Sequence, residues 1–272
     1  MVKMVRTTYL MWLIACSLLL GLVAAPGLHA QDSPEQANKW QFEITPYFLA
    51  AAMNGTSGAA GVSADIDMDF DDILDNLDAG LMAAFEARKG PWIFAFDGVY
   101  FRLKDEPTKS WTGPLGKVSV QGDVEATLTQ QLYTGWVGYR VIDNNFKLDL
   151  TGGLRHTIAE NDLTIVVNSS GNLFPGGTRN LEGRQSWDDP IIGVRFMESF
   201  AQKWSVYGYG DVGGFGVGSD ITYQLLAGIR WQISKLVSAK LAYRYLYQDY
   251  EDDGFVWDMS YQGPMLGIGF TF

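Results

Sequence analysis

The densest group of side chains able to hold a metal ion lies in an acidic segment between residues 60 and 80. Aspartates occur there at every second position, so a β-strand would present their carboxylates on one face. Hard cations such as Ca²⁺ and Mg²⁺ bind several carboxylate oxygens, although Phe70 stands where an EF-hand loop requires glycine. The segment is a candidate divalent-cation loop, with a solvated acidic loop as the simpler interpretation. The candidate ligands are Asp65, Asp67, Asp69 and Asp71.

A second candidate for chemistry is His156, which is followed by Glu160 and Asp162. A histidine near carboxylates is a common arrangement for a general base. On a strand, however, His156 would share the apolar face of Leu154, and no serine neighbours it in a recognisable hydrolase pattern. The glycines at 208–216 lack the strand–loop–helix context of a nucleotide site. We therefore expect no enzymatic activity and no cofactor, with a hydrolase as the alternative.

Alternation of apolar and polar residues is the main pattern of the chain, and it is clearest at 221–233 and 237–247. Both segments exceed the roughly 5–6 residues of a typical strand. They are also long enough for a tilted strand to cross a bilayer, which takes about 9–11 residues. The pattern predicts an all-β, transmembrane, antiparallel up-and-down barrel of ten strands. We place them at 40–53, 78–88, 92–104, 124–141, 146–159, 188–198, 204–216, 220–232, 236–249 and 257–272.

The strand number has two alternatives. Twelve strands result if 62–70 and 163–167 form strands of their own, and eight result if two of the ten merge. The connections favour an even number, because short and long ones alternate and both termini then lie on the short-turn side. The long loops are expected at 54–77, 105–123, 160–187 and 250–256, and 217–219 is a short exception.

Five tryptophans lie near the short-turn ends of the predicted strands. Amphipathic rings favour the membrane interface, so a membrane barrel would carry such an aromatic girdle. The residues are Trp40, Trp92, Trp136, Trp204 and Trp231.

Residues 1–30 have the features of an export signal, in which Lys3 and Arg6 precede an apolar stretch. We expect cleavage after Ala30, with an uncleaved anchor as the alternative. Cleavage would remove Cys16, the only cysteine, so that no disulfide could form. It would also change the net charge from -11 to -13, because Lys3 and Arg6 are the only charged residues lost. Such an acidic chain is not expected to bind nucleic acid. The predicted organisation is a signal peptide at 1–30, a short leader at 31–39 and a barrel at 40–272.

Charged side chains occupy the strand face opposite the apolar one. If the apolar face contacts lipid, these charges point into a lumen only slightly wider than that of eight-stranded barrels, which side chains fill. An unpaired charge there is costly, so the charges should pair. They would form either a salt-bridged plug or the lining of a narrow channel. The predicted lumen charges are Glu43, Glu86, Arg88, Asp97, Arg155, Arg195, Arg230, Lys240 and Arg244.

The C-terminal strand ends on an aromatic residue, in a run where Leu266, Ile268, Phe270 and Phe272 alternate with smaller residues. This run resembles the sorting signal of Gram-negative outer-membrane β-barrels. Over residues 40–272 the chain resembles small barrels of the OmpA and OmpW type. The resemblance implies a location in the bacterial outer membrane. It also implies the lipid bilayer, lipopolysaccharide, the barrel-insertion machinery and periplasmic chaperones as partners.

Two functions follow from this resemblance. The first is a narrow porin-like channel, or a structural surface protein whose lumen is plugged by salt bridges. The alternative is a surface adhesion or binding barrel that acts through its long outer loops.

Overall fold

The computed structural model describes residues 39–59, 62–105, 108–112, 119–169 and 177–272. These residues form one antiparallel β-sheet and one short helix. The elements are β1 (Gln41–Leu49), β2 (Ala52–Ala59), β3 (Val62–Met68), α1 (Phe70–Asp75), β4 (Leu77–Lys89), β5 (Trp92–Asp105), β6 (Thr108–Thr112), β7 (Ser119–Asp143), β8 (Phe146–Ser169), β9 (Gly177–Ala201), β10 (Trp204–Gly214), β11 (Ile221–Gln232), β12 (Val237–Asp252) and β13 (Phe255–Thr271).

Ten of these strands close into a barrel. The wall runs β1-β4-β5-β7-β8-β9-β10-β11-β12-β13, and β13 returns to pair with β1. Strand β2 pairs with the part of β13 that lies beyond its pairing with β1. Two further strands lie outside the wall, since β3 pairs with β2 and β6 pairs with β7. The prediction of a ten-stranded antiparallel barrel is therefore confirmed. Residues 62–68 of the predicted segment 62–70 form β3, which is not a strand of the wall, and 163–167 belongs to β8.

The predicted loops at 105–123 and 160–187 are largely wrong, because most of their described residues are strand. Strands β7, β8 and β9 are 25, 24 and 25 residues long. Strands β8 and β9 pair without a register shift from Phe146↔Glu198 to Val167↔Gly177. Each strand supplies the next with backbone partners, so the ladder extends beyond the apolar region.

The outer surface of the barrel carries a continuous apolar band. Leu150, Ile192, Leu225 and Leu241, from four different strands, are all exposed. Burying such a band requires a lipid environment, because water would leave its apolar area exposed. Trp40, Trp92, Trp204 and Trp231 also lie exposed near the short turns, as an interfacial girdle would.

Trp136 does not belong to this girdle, so that part of the prediction is wrong. Its ring stacks on Tyr209 inside the barrel, with ring centroids 5.5 Å apart. Trp136 shares the inward face of β7 with the buried Thr134.

Both ends of the described chain meet at the short-turn rim. The Phe42 amide donates to the Phe272 carbonyl at 3.0 Å, and the Phe272 amide donates back at 2.9 Å. The predicted signal peptide and nearly all of the predicted leader lie outside the described residues. Within the described part of the chain, no helix has the length and apolar character needed to cross a membrane.

Candidate functional site: the barrel lumen

Glu43 on β1 is the centre of one ion-pair cluster near the short-turn side. Its carboxylate accepts from Arg230 on β11 at 2.7 Å and from Lys240 on β12 at 2.5 Å. Lys240 also donates to the Thr45 hydroxyl at 2.9 Å, and Thr271 donates to Glu43 at 3.2 Å. Glu43 thus connects β1 to β11 and β12, two strands that follow much later in the chain.

Glu86 on β4 centres a second cluster, which reaches across the lumen. Arg195 on β9 lies 3.1 Å from Glu86 and 3.5 Å from Asp149 on β8. Arg88 pairs with Glu86 along the same strand, and Arg140 on β7 donates to Asp149 at 2.8 Å. Because β4 and β9 are four places apart in the wall, this cluster connects well-separated sides of the barrel.

Arg244 on β12 makes the third connection. Its Nη1 lies 3.0 Å from Oδ1 of Asp97 on β5 and donates to the Tyr47 hydroxyl at 2.9 Å. Tyr47 in turn donates to Asp97 at 2.8 Å, and Gln224 accepts two further bonds from the guanidinium. The guanidinium is therefore held by three different strands.

Arg155 on β8 is buried completely and pairs with Asp211 on β10 through two contacts of 2.8 Å. It also donates to the Thr222 hydroxyl at 2.8 Å. The structure thus places all nine predicted lumen charges inside the barrel and brings each within reach of an opposite charge.

Sequence reasoning missed Arg140 as a member of this network. Arg140 lies six residues after the inward-facing Thr134, so strand alternation places the two on the same face and could have identified Arg140. A register shift follows between Arg140 and Ile142, so counting back from the strand end leads to the wrong face.

Between the ion pairs lies a cavity of about 150 Å³. It is lined by charged members of the first three clusters and by the side chains of Thr134, Tyr207 and Tyr209. The hydroxyl groups of Thr134 and Tyr207 have no protein partner in the described part of the chain. Polar groups in a space of this size are the setting in which ordered water completes the hydrogen bonding.

The outer half of the lumen is filled by apolar and aromatic side chains, a layer that the sequence did not predict. Trp187 stacks on Tyr250 with centroids 4.1 Å apart, and Trp257 packs against both Trp187 and Phe255. The buried members of this aromatic layer include Met53, Phe101, Leu132, Leu246, Met259 and Tyr261. Charges thus dominate the short-turn side of the lumen, and apolar side chains dominate the other side, where the buried Gln130, Gln248 and Thr157 are joined by hydrogen bonds.

The hairpin β2–β3 reaches across the outer mouth. Asn161 on β8 donates to the Ser57 hydroxyl on β2 at 2.9 Å, although the two strands lie on different sides of the barrel. This contact holds the hairpin over the aromatic layer.

Of the four candidate cation ligands, Asp65 and Asp67 lie on β3, and Asp69 and Asp71 lie at the start of α1. Asp65 accepts from Thr56, and Asp69 is the N-cap of α1, where it exchanges hydrogen bonds with Asp72. Asp67 and Asp71 are exposed. In the part of the chain that the structure describes, no three acidic, histidine or cysteine side chains are grouped to hold a metal ion.

His156 lies on the outside of the wall. Its Nδ1 is 2.9 Å from Asp188 Oδ1, and both side chains are exposed. Its ring lies beside Tyr133, with centroids 6.5 Å apart. The side chain therefore does not face the lumen. The residues of the predicted sorting signal also point outward, where Leu266, Ile268, Phe270 and Phe272 are all exposed.

No protein-family model and no curated protein matches this chain in sequence. Among solved structures, the outer membrane protease OmpT of Escherichia coli is similar, with a TM-score of 0.54 and 11% identity over 86% of this chain and 96% of OmpT. The chain has the fold of the outer-membrane β-barrels. At this identity the likeness shows the fold alone.

Two further outer-membrane barrels align over most of their length. The translocator domain of the autotransporter NalP of Neisseria meningitidis has a TM-score of 0.42 and 12% identity, over 98% of this chain and 96% of that domain. Ail, the attachment invasion locus protein of Yersinia pestis, has a TM-score of 0.34 and 12% identity, over 86% of this chain and 99% of Ail.

Proposed function

We propose that this outer-membrane barrel is sealed, and that it serves as a structural and surface protein rather than as a diffusion pore. The observation that carries the proposal is the set of ion pairs that join distant strands. Arg244 connects β12 to Asp97 on β5, and Arg195 connects β9 to Glu86 on β4. A solute path along the axis would have to separate these pairs, which leaves charges unpaired in a confined space.

The aromatic layer adds a second barrier. Ions cross a narrow hydrocarbon constriction poorly, because water is expelled from it and the ion loses its hydration. Trp187, Tyr250 and Trp257 occupy this part of the lumen, and Met53 of β2 and Met68 of β3 pack in the same layer. The two barriers are chemically different, so opening one of them would not by itself make a pore.

The absence of catalysis is part of the same proposal. His156 is paired with Asp188 on the outer wall, away from the enclosed lumen. A general base needs a substrate within hydrogen-bond reach and a site that orients it. A hydrolase activity lost in His156→Ala and retained in Asp143→Ala would contradict this part of the proposal.

Single-channel recording in a planar bilayer is the direct test. Protein shown to be folded by a heat-dependent shift in gel mobility should give no discrete conductance steps. Reproducible steps from folded protein would overturn the sealed-barrel proposal. The Arg230→Ala/Arg244→Ala variant should lose stability against denaturant, because Glu43 and Asp97 then lose their cations.

A second candidate function is surface binding, and the length of β7–β9 favours it. These strands have 24 or 25 residues, whereas crossing a bilayer takes about 9–11. The remainder would project a three-stranded sheet roughly 30–40 Å beyond the lipid, at about 3.3 Å per residue and with the tilt of barrel strands.

The register permits a clean truncation of this projecting sheet. Thr164 pairs with Asn180, so replacing residues 165–179 with a two-residue Asn-Gly turn leaves β8 and β9 in register. The truncated barrel should fold but lose retention of purified lipopolysaccharide, the probe for surface binding. Equal retention by truncated and full-length protein would contradict this candidate.

A further inference from the structure

The barrel wall has a lateral gap between β1 and β4. Their pairing runs from Gln41↔Arg88 to Pro46↔Ala83 and stops there. Proline has no amide hydrogen to donate, so Pro46 is a natural end for the ladder. Among the described residues, 47–49 pair only with β13 and 77–82 pair only with β5. The two strands therefore separate on the loop side of Pro46.

An apolar cavity of about 120 Å³ fills this gap. Its inner end is formed by Val99, Leu132 and Leu246, which belong to the buried aromatic layer. Its outer end is formed by Phe48 and Leu74, which are 47% and 49% exposed. The cavity thus runs from the outer surface of the barrel into its hydrocarbon layer.

Helix α1 borders the outer end of the cavity. The Phe70 ring meets the Phe48 ring edge-on, with centroids 6.0 Å apart, while Ile73 packs against the aromatic layer. The capping box between Asp69 and Asp72 fixes the start of this helix. The helix therefore narrows the opening and leaves Leu74 at its edge.

The opening lies at the level of the lipid-facing band. Phe48 is paired with Leu266, and both side chains are exposed on the outer wall. On the other side of the gap, Leu81 of β4 is 71% exposed. Because the band of outward apolar residues on β13 runs from Phe272 up to Leu266, the opening faces hydrocarbon rather than water.

We propose that this cavity binds an acyl chain of an outer-leaflet lipid, which enters sideways between β1 and β4. An apolar cavity is a poor site for water and a good one for hydrocarbon. A volume of about 120 Å³ holds roughly eight water-sized or methylene-sized groups, which is part of one chain. The gap lies on the loop side of Pro46, which assigns the chain to the outer leaflet. This binding requires no path along the barrel axis.

The test uses the full-length protein reconstituted with a phospholipid that carries a photoreactive diazirine near the end of its acyl chain. After irradiation, cross-linked peptides are mapped by mass spectrometry. We expect cross-links at Leu132 and Leu246, which only a chain inside the cavity can reach, in addition to the annular cross-links at Leu266. Cross-links confined to lipid-facing residues would overturn the proposal.

A cavity-filling variant sharpens the test. Gly80 lines the cavity, and a Cβ built there meets its nearest atom at 3.7 Å, so Gly80→Leu adds bulk without a backbone clash. The matched control is Gly135→Leu, because a Cβ at Gly135 meets no atom within 4 Å. Interior cross-links should fall to background in Gly80→Leu and persist in Gly135→Leu. Persistence in both folded variants would contradict the proposed route.

If Gly80→Leu does not fold, Met82→Phe fills the same cavity from the next position on the same face of β4. A second arm replaces the lipid with a free photoreactive alkane in the same bilayers. Interior cross-links from the free alkane without any from the lipid would overturn the assignment to a lipid chain.

Discussion

Arg155 and Asp211 form an ion pair with no exposed side-chain area, in which one guanidinium nitrogen lies 2.8 Å from both carboxylate oxygens. Thr222 accepts a further hydrogen bond from the same guanidinium, so two of its nitrogens are held. A buried pair is strongly destabilising to break, because the remaining charge has no partner and no water.

Asp211→Ala should lower the free energy of unfolding by about 3–5 kcal/mol, since it leaves Arg155 charged and buried. The change in the free energy of unfolding is measured by urea titration in detergent micelles, with the loss of the heat-dependent gel shift as the signal for unfolding. The control is Glu160→Ala, which removes the partner of the exposed Arg184 at 3.1 Å and should cost at most about 1 kcal/mol. Equal losses in the two variants would show that the buried pair does not stabilise the barrel.

Glu43→Gln should also destabilise the barrel, by about 3 kcal/mol, although the shape of the side chain is preserved. Arg230 and Lys240 both pair with this carboxylate and would be left as neighbouring cations. The same unfolding measurement applies, with the exposed Asp143→Asn as the control. A Glu43→Gln barrel as stable as the control would argue that water, rather than Glu43, neutralises the two cations.

Gly153 should tolerate no side chain, because a Cβ there would lie 2.0 Å from the Gly135 carbonyl oxygen and 2.7 Å from the Trp136 Cβ. Gly153→Ala should cost about 1–3 kcal/mol through overpacking. It should also disturb the stacking of Trp136 on Tyr209, which near-ultraviolet circular dichroism would register. Gly152→Ala is the adjacent control, since its Cβ would meet its nearest atom at 3.9 Å. Similar spectra and stabilities for the two variants would refute this account.

Phe272→Ala should reduce the amount of folded barrel in the outer membrane of cells and have a much smaller effect on refolding in micelles. The reason is that Phe272 is 69% exposed and contributes little to the interior, whereas the terminal aromatic is the proposed signal for the insertion machinery. Phe200→Ala, another exposed aromatic at the short-turn rim, is the control. A refolding defect in micelles as large as the defect in cells would indicate a structural role, through its stacking on Phe42.

The sequence alone was sufficient to predict the wall of this barrel. A lipid-facing strand must carry an apolar residue at every second position for about ten residues, and β11 and β12 do so without interruption. The same alternation assigned Arg155, Arg230 and Arg244 to the lumen, because the inward face consists of the positions between the lipid-facing ones. These features depend on local periodicity and on the solvent, and both can be read along the chain.

The pairing of the charges depended on the closed barrel. Glu43 and Lys240 are 197 residues apart, and no local pattern indicates that closure brings them together. Trp136 likewise has the size and position of a girdle residue, but the register of β7 turns it inward, where Gly153 leaves room for it.

Strand β13 shows most directly what depended on the fold. Between Leu266 and Phe272 its apolar residues face outward into lipid, whereas Trp257, Met259 and Tyr261 face inward. Outward positions on the same upper segment carry polar residues such as Asp258. The apolar face changes sides because the solvent changes from lipid to water along one continuous strand. Only the assembled barrel, which sets the height of each residue relative to the bilayer, reveals where that exchange occurs.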